Sequence, residues 1–135
     1  YRGGGFDGRS SEIQTRAKEA IVTIGNNFQS NNGLFICCLK KITIGNDCLV
    51  GNNVTIMDHN AQGISPTKRK NTQGTPNEIV IENNVWIGNG VTILGGTIIG
   101  ENSIVSVGSV VKGVFPSNVI IQGNPAIIAK KIEKD

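Results

Sequence analysis

Apolar side chains recur at every sixth residue through the second half of the chain. The series runs without a gap over two eighteen-residue blocks and consists of Ile81, Ile87, Ile93, Ile99, Val105 and Val111. Four residues after each member stands a small or β-branched side chain, at Val85, Val91, Thr97, Ser103 and Ser109. Phe115 then breaks this second series. Neither the 3.6-residue period of a helix nor the plain alternation of a strand accounts for a period of six.

A period of six predicts short strands that are separated by corners. Within a strand, inward side chains stand two residues apart, and each corner resets that alternation. Three such sides form a triangular coil, and the apolar side chains of successive coils stack as ladders inside a prism. Asn and Gly at the corners accept positive φ. The predicted corner positions include Gly88, Gly100 and the pairs Asn32-Gly33 and Asn89-Gly90. The pattern therefore predicts an all-β fold, a parallel β-helix.

The first half of the chain carries the same register less regularly. Its ladder positions are Ile24, Ile44, Val50 and Ile56, with Cys48 and Val54 in the small positions. Ile24 precedes Ile44 by twenty residues instead of eighteen. We expect a bulge or a two-residue insertion in this amino-terminal coil.

Between Ile56 and Ile81 the repeat is interrupted. The slots expected to be apolar hold Gln62, Lys68 and Gly74. Long loops within compact domains are usually functional or disordered, so we expect a site at the root of this one. We predict a single domain, residues 1–135, with coils over about 20–57 and 79–122, one protruding loop over about 58–78 and a carboxyl-terminal cap over about 123–135.

Composition agrees with a small β protein and narrows the range of functions. Eighteen Gly and only 4% aromatic residues suit many short strands and tight turns. Thirteen basic and ten acidic residues give a net charge of +3, which is too small to favour nucleic acid. No apolar run reaches the ~20 residues of a membrane span, and no amino-terminal signal is visible. We predict a soluble, cytoplasmic protein with no nucleic-acid partner.

The three cysteines, Cys37, Cys38 and Cys48, form no Cys-x-x-Cys pair. An odd number without that spacing argues against a disulfide framework and against a zinc site. We expect them to pack as small buried hydrophobes, and we predict no metal site.

The only histidine, His59, follows Asp58 at the point where the coil gives way to the loop. A lone His is often structural, but a His beside an Asp at a repeat interruption is also a candidate base. Acyl transfer from a thioester to a hydroxyl needs one general base, because the leaving thiolate needs little protonation. The sequence has no Gly-x-Ser-x-Gly elbow, phosphate-binding glycine loop or dinucleotide fingerprint. Both roles of His59 stay open at this stage.

Basic side chains and one tryptophan are candidate ligand contacts. Residues 68–70 of the loop, and Lys130 with Lys131, either meet the phosphates of an anionic cofactor or are solvated surface charge. Trp86 stands just before the ladder residue Ile87, so it is predicted to point outward. An exposed Trp in a chain with few aromatics suggests a subunit or ligand contact.

Four stretches of this sequence carry a resemblance to a known family. They are the hexads from Ile81 to Lys112, the run Val85-Trp86-Ile87-Gly88, the stretch Gly108-Ser109-Val110-Val111 followed by Pro116, and Gly123-Asn124-Pro125-Ala126. With them the chain resembles the hexapeptide-repeat O-acetyltransferases. It is most similar to the branch that acetylates sugars, including those of bacterial surface polysaccharides. The likeness covers nearly all of residues 40–132.

The resemblance implies a left-handed β-helix, which periodicity alone does not reveal. It also implies a homotrimer that binds acetyl-coenzyme A as cosubstrate in the groove between neighbouring prisms. The residues implied to bind this cofactor are Trp86, Asn89, Val107, Lys112 and Lys130, the last of them near its phosphates. The acceptor is implied to be a small molecule or a saccharide.

The resemblance also implies a catalytic histidine at the start of the protruding loop, usually preceded by an Asp. Here His59 and Asp58 stand at that place. In the family the functional His commonly lies a few residues beyond the Asp, where this chain has Ala61 and Gln62. Gln62 can orient a hydroxyl but cannot take its proton. The implied site therefore consists of His59, Asp58 and Gln62.

Two function classes follow from these residues. The first is an acetyl-coenzyme A-dependent O-acetyltransferase in which His59 is the base. The second is a catalytically impaired trimeric homologue that binds the cofactor or a sugar. A β-helical carbonic anhydrase needs three imidazoles around one metal, and one His per chain does not supply them. An inert structural prism is not supported by the polar loop.

Overall fold

Sixteen short strands make up the regular structure of residues 10–133, which the computed structural model describes. The strands are two to six residues long. Their bounds are β1 Glu12–Thr15, β2 Ile21–Ile24, β3 Gln29–Ser30, β4 Phe35–Cys38, β5 Lys41–Ile44, β6 Leu49–Val50, β7 Thr55–Met57, β8 Ile79–Ile81, β9 Trp86–Ile87, β10 Thr92–Leu94, β11 Ile98–Ile99, β12 Ile104–Val105, β13 Val110–Val111, β14 Val114–Phe115, β15 Val119–Gly123 and β16 Ala126–Lys131. Within residues 10–133, no helix is long and apolar enough to cross a membrane.

Each strand lies in a different sheet from the strand before it until β15. Sheet 1 has the order β1-β4-β7-β10-β13, sheet 2 the order β2-β5-β8-β11-β14, and sheet 3 the order β3-β6-β9-β12-β15-β16. Neighbouring strands are parallel except β15 and β16, which form an antiparallel pair. Three consecutive strands therefore make one coil, and the chain is a left-handed parallel β-helix with one protruding loop, as expected.

The ladders predicted from the period of six form the core. In sheet 1, Ile93 pairs with Ile56 on one side and with Val111 on the other, and all three are fully buried. The second series of small side chains, Val85, Val91, Thr97, Ser103 and Ser109, is buried as well. Phe115 interrupts the sequence pattern but not the core, because it pairs with Ile99 and continues that ladder. The coil that joins these two residues is sixteen residues long instead of eighteen.

The three corners of the prism differ in their backbone. We call the corner from sheet 1 to sheet 2 the first corner, that from sheet 2 to sheet 3 the second, and that from sheet 3 to sheet 1 the third. Left-handed φ values occur in the second corner at Asn27, Asp47, Asn84, Asn102 and Asn118, and in the third at Gly33, Asn53, Gly90 and Gly108. Gly100 has a different role from these residues, since a Cβ there would collide with the backbone of Ser117 in the next coil.

The number of residues from one ladder position to the next across the first corner differs in every coil. Ile24 pairs with Ile44, so that coil has twenty residues and contains the expected two-residue insertion. The extra residues lie between the ladder positions Ile36 and Ile44, which stand eight apart instead of six. In the next coil the same corner carries the loop of residues 58–78, which contains no strand. Insertions in successive coils therefore stack on one edge of the prism.

The two ends of the coil region also differ from the regular repeat. The first coil already begins at Glu12 of β1, which pairs with Phe35 of β4, although the sequence pattern places the first coil at about residue 20. At the other end, β15 and β16 are joined by a turn at Asn124-Pro125. Lys134, in the predicted cap, lies outside the described residues.

Candidate active site

The root of the loop is held against the first corner by backbone contacts. The amide of Asn77 donates to the carbonyl of Asp58 (2.8 Å), and the amide of Gly96 donates to the carbonyl of Asn77 (3.1 Å). A Cβ on Gly95 would lie 2.7 Å from the Asp58 carbonyl oxygen, so only glycine allows this approach. Both ends of the loop are therefore fixed next to β10.

Asp58 is fully buried and accepts hydrogen bonds from the coil before it. The amide of Leu39 donates to Oδ1 (2.7 Å), and the amides of Lys40 and Lys41 donate to Oδ2 (2.8 and 2.9 Å). The thiol of Cys38 lies 3.6 Å from Oδ2 and donates weakly. A buried carboxylate is tolerated only with such partners, and here they come from the corner with the two-residue insertion.

The charge of Asp58 follows from these contacts. Burial alone raises its pKa, but the hydrogen bonds from the three amides and from His59 outweigh burial and hold the pKa below its ordinary value. Hydrogen bonds to the charged form stabilise that form. Asp58 is therefore a carboxylate at neutral pH.

His59 is joined to this carboxylate through one ring nitrogen. Its Nδ1 lies 3.0 Å from Oδ1 of Asp58, and its side chain is 1% exposed. Among the described residues, Nε2 of His59 has no hydrogen-bond partner, and this atom is shielded from solvent. Buried polar atoms without a partner are rare in proteins and call for an explanation. The free Nε2 distinguishes His59 from a structural histidine that has both nitrogens bonded.

A pocket of about 290 Å³ adjoins this pair at the first corner. It is lined by Asp58, His59, Asn60, Ile64, Thr75, Asn77, Leu94, Gly95 and Lys112. Lys112, which the resemblance implies in cofactor binding, therefore lines the same pocket as His59. Gln62 is exposed and is absent from the lining, so the structure does not bring its side chain into this pocket. Ala61, between His59 and Gln62 in the chain, has a left-handed φ of 68°.

The other predicted cofactor residues lie together elsewhere, on sheet 3 and at the third corner. Trp86 is 55% exposed, as predicted, and lines a groove of about 210 Å³ with Asn89 and Val107. Trp86 and Val107 also line an adjoining groove of about 410 Å³. Lys130 lies in the same sheet as Trp86. It pairs with Ile120, which pairs with Ile104, and Ile104 in turn pairs with Trp86. Sheet 1 separates these grooves from His59.

The cysteines are packing residues, as expected. All three are free and buried. Burial, and then the charge of Asp58, raise the pKa of the Cys38 thiol to about 11, so it stays neutral beside the carboxylate. A neutral buried thiol is a poor nucleophile.

Some site components were not identified from the sequence. The donors to Asp58 are backbone amides of residues 39–41, and any residue type except proline supplies such a donor. The two-residue insertion was the one available signal, since it marks an irregular corner one coil before the loop. Asn77, which closes the root of the loop, carries no signal of its own.

Comparison with known proteins identifies the family. Residues 78–113 match the family model described as bacterial transferase hexapeptide (six repeats). The chain belongs to the hexapeptide-repeat transferase family. It is 35% identical over 119 residues to a putative lipopolysaccharide biosynthesis O-acetyl transferase of Escherichia coli K12, covering 82% of this chain and 61% of that protein. It is 37% identical over 111 residues to a galactoside O-acetyltransferase of Lactococcus lactis, covering 82% and 53%.

A solved structure shows the same fold at similar identity. The structure of a galactoside acetyltransferase in complex with coenzyme A superposes with a TM-score of 0.78 at 37% identity, covering 83% of this chain and 56% of that one. This hexapeptide-repeat chain thus spans between 53% and 61% of the length of the two curated relatives.

Proposed function

We propose that this protein transfers the acetyl group of acetyl-coenzyme A to a hydroxyl of a sugar or of a surface-polysaccharide precursor. The observation that carries the proposal is the buried Asp58–His59 pair, which leaves Nε2 of His59 without a partner beside a pocket. The relatives named as sugar O-acetyltransferases support the substrate class.

The chemistry needs one base at this place. Nε2 of His59 accepts the proton of the acceptor hydroxyl while the oxygen attacks the thioester carbonyl. The carbon–sulfur bond then breaks, and coenzyme A leaves as a thiolate that takes the proton back from the imidazolium. Backbone amides at the coil edge stabilise the negative oxygen of the intermediate. Lys112, in the same pocket, adds a positive charge near that oxygen.

The cofactor is proposed to lie along the grooves at Trp86. Asn89 and Val107 line the part next to the third corner, and Lys130 stands further along the prism for the phosphates. Within one chain, sheet 1 lies between these grooves and His59. We therefore propose a homotrimer in which the groove of one prism faces the loop of the next. The outward Leu49 and Trp86 of sheet 3 offer apolar area for such a contact.

Access to Nε2 requires movement of the loop. The atom is shielded from solvent in this structure, so an acceptor reaches it only after side chains of residues 58–78 shift. Closure of loops over a bound substrate is common in transferases and excludes water from the reaction. Exclusion of water is useful here because water would otherwise hydrolyse the thioester.

The same shielding favours a second candidate function. A chain that keeps the grooves at Trp86 but never exposes Nε2 would bind the cofactor or a sugar without turnover. The exposed Gln62, at the place where the family commonly has its histidine, fits this alternative.

A coupled assay decides between the two. The purified chain is incubated with acetyl-coenzyme A and a panel of sugars, and free thiol and acetylated product are measured. Its own cysteines are buried and add little thiol signal to the native assay. Acetylated product that disappears in His59→Ala supports transfer. Cofactor binding by calorimetry without product for any sugar supports the binding protein, and neither binding nor product contradicts both.

A further inference from the structure

The corner of residues 38–41 has an environment that no other corner in the described chain shares. Three consecutive amides, those of Leu39, Lys40 and Lys41, point at one carboxylate, that of Asp58 in the next coil. The corner gains this shape from the two residues that lengthen its coil to twenty.

These amides determine how Asp58 faces His59. Oδ2 faces the amides of Lys40 and Lys41 and the Cys38 thiol. Oδ1 faces one amide, that of Leu39, and Nδ1 of His59. A carboxylate has no proton to donate, so the proton of this contact belongs to Nδ1. The neutral imidazole then carries its lone pair on Nε2, the atom a general base must use.

We propose that the lengthened corner of residues 38–41 is a positioning element that holds Asp58 so that the neutral ring of His59 keeps its proton on Nδ1 and presents Nε2 as the base. The role of His59 as a base rests on the proposed function, whereas the position of the ring proton can be measured without any activity. Asp58 is a positioning residue here, since it touches His59 and not the reacting atoms.

An asparagine at position 58 gives a sharp expectation. Asn has one acceptor oxygen instead of two, and three amides compete for it. The oxygen turns to the amides, and the NH₂ group faces Nδ1 of His59. Nδ1 must then accept, and the ring proton moves to Nε2. In serine proteases the equivalent change leaves the geometry intact, gives the wrong tautomer and lowers kcat about 10⁴-fold.

The sequence contains a single histidine, so the tautomer can be read without assignment. The full chain is labelled with ¹⁵N-histidine, and the two ring nitrogens are observed by NMR at a pH where the ring is neutral. We expect the proton on Nδ1 in the unsubstituted chain and on Nε2 in Asp58→Asn. A proton on Nε2 in the unsubstituted chain overturns the proposal, as does an unchanged tautomer in Asp58→Asn.

The corner itself is tested with a matched pair of variants. Lys40→Pro removes one of the three amide donors, whereas Lys40→Ala removes only an exposed side chain and keeps the donor. We expect a measurable fraction of the Nε2–H tautomer in Lys40→Pro and none in Lys40→Ala. Equal spectra for the two folded variants contradict the role of the corner. If Lys40→Pro does not fold, the spectra of the unsubstituted chain and of Asp58→Asn still decide.

This readout separates the inference from the proposed function. If the expected tautomer is observed but no sugar is acetylated, the result supports the positioning element and contradicts the proposed transferase function. If acetyl transfer depends on His59 but the opposite tautomer is observed, the result contradicts the positioning element and not the transferase function.

Discussion

The first and second corners of the prism use polar residues in opposite ways. In the second corner a left-handed φ recurs in every coil, and exposed or half-buried amide side chains pair with their counterparts one coil away. Asn84 donates to Asn102 (2.9 Å), and Asn102 donates to Asn118 (3.0 Å). In the first corner each coil has its own length, and its main polar side chain, Asp58, is buried against backbone amides.

The difference shows where a repeat protein can place chemistry. A regular corner gains stability from nearest-neighbour contacts that any coil can repeat. A base needs a buried, fixed and unrepeated environment, which only an irregular corner supplies. The polar groups of the second corner can therefore be exchanged at small cost, whereas those of the first cannot.

The largest expected effect is on activity at the first corner. His59→Ala removes the proposed base, and we expect kcat for acetyl transfer to fall about 10²- to 10⁴-fold with the fold retained. Steady-state kinetics and circular dichroism measure the two quantities. Gln73→Ala, an exposed position in the same loop, serves as the control. Full activity of His59→Ala would show that the first corner is not the reacting site.

The next largest effect is expected on stability, at the inward side chains of the core. Ile93→Ala removes a fully buried ladder side chain, and we expect a loss of about 2–5 kcal/mol in the free energy of unfolding. Thr92→Ala, on the outward side of the same strand, should change it by roughly 0.5 kcal/mol or less. Urea denaturation measures both. Equal losses would mean that inward and outward positions are not distinct.

Substitutions at the second corner should change the free energy of unfolding less, and the ranking of the variants can be predicted. Asn84 has a left-handed φ of 56°, which costs a non-glycine residue such as Ala about 1–2 kcal/mol. Asn84→Ala should therefore destabilise by roughly 1 kcal/mol, whereas Asn84→Gly keeps the conformation at less strain and loses mainly an exposed hydrogen bond. Thermal unfolding of the two variants should rank Gly above Ala, and the reverse order would exclude backbone conformation as the cause.

The smallest effect is the pH dependence contributed by Asp58. Its pKa is lowered from 3.8 in the folded state, so its contribution to stability is present above pH 3.8. That contribution is lost as the pH falls through the folded pKa. We expect the difference in unfolding free energy between the unsubstituted chain and Asp58→Asn to shrink below about pH 4. A constant difference across that range would mean that the carboxylate is not specifically stabilised.

Much of the fold was predictable because its determinant is local. The ladder from Ile81 to Val111 predicts which side chains face inward. The interruption after Ile56 predicts the loop, with His59 at its start. The outward Trp86 followed from the same alternation. Phe115 was misleading only because the last coil is shortened, which moves it into a ladder position.

The composition of the pocket was less predictable because it depends on which coils lie side by side. Lys112 and His59 stand 53 residues apart and line one pocket because they follow β13 and β7, the two strands that flank β10 in sheet 1. Gln62 and Ala61 look equivalent to His59 as loop residues in the sequence. The structure places His59 in the lining of the pocket and leaves Gln62 exposed outside it.

The sequence by itself determined the coil, since a period of six decides within a few residues which side chains are buried and where corners fall. The tertiary structure decided the site. Asp58 and its donors at residues 39–41 belong to different coils, and neither segment carries a motif for the other. They meet because each strand must pair with the strand one coil away, which places each corner beside the same corner of the coil before it.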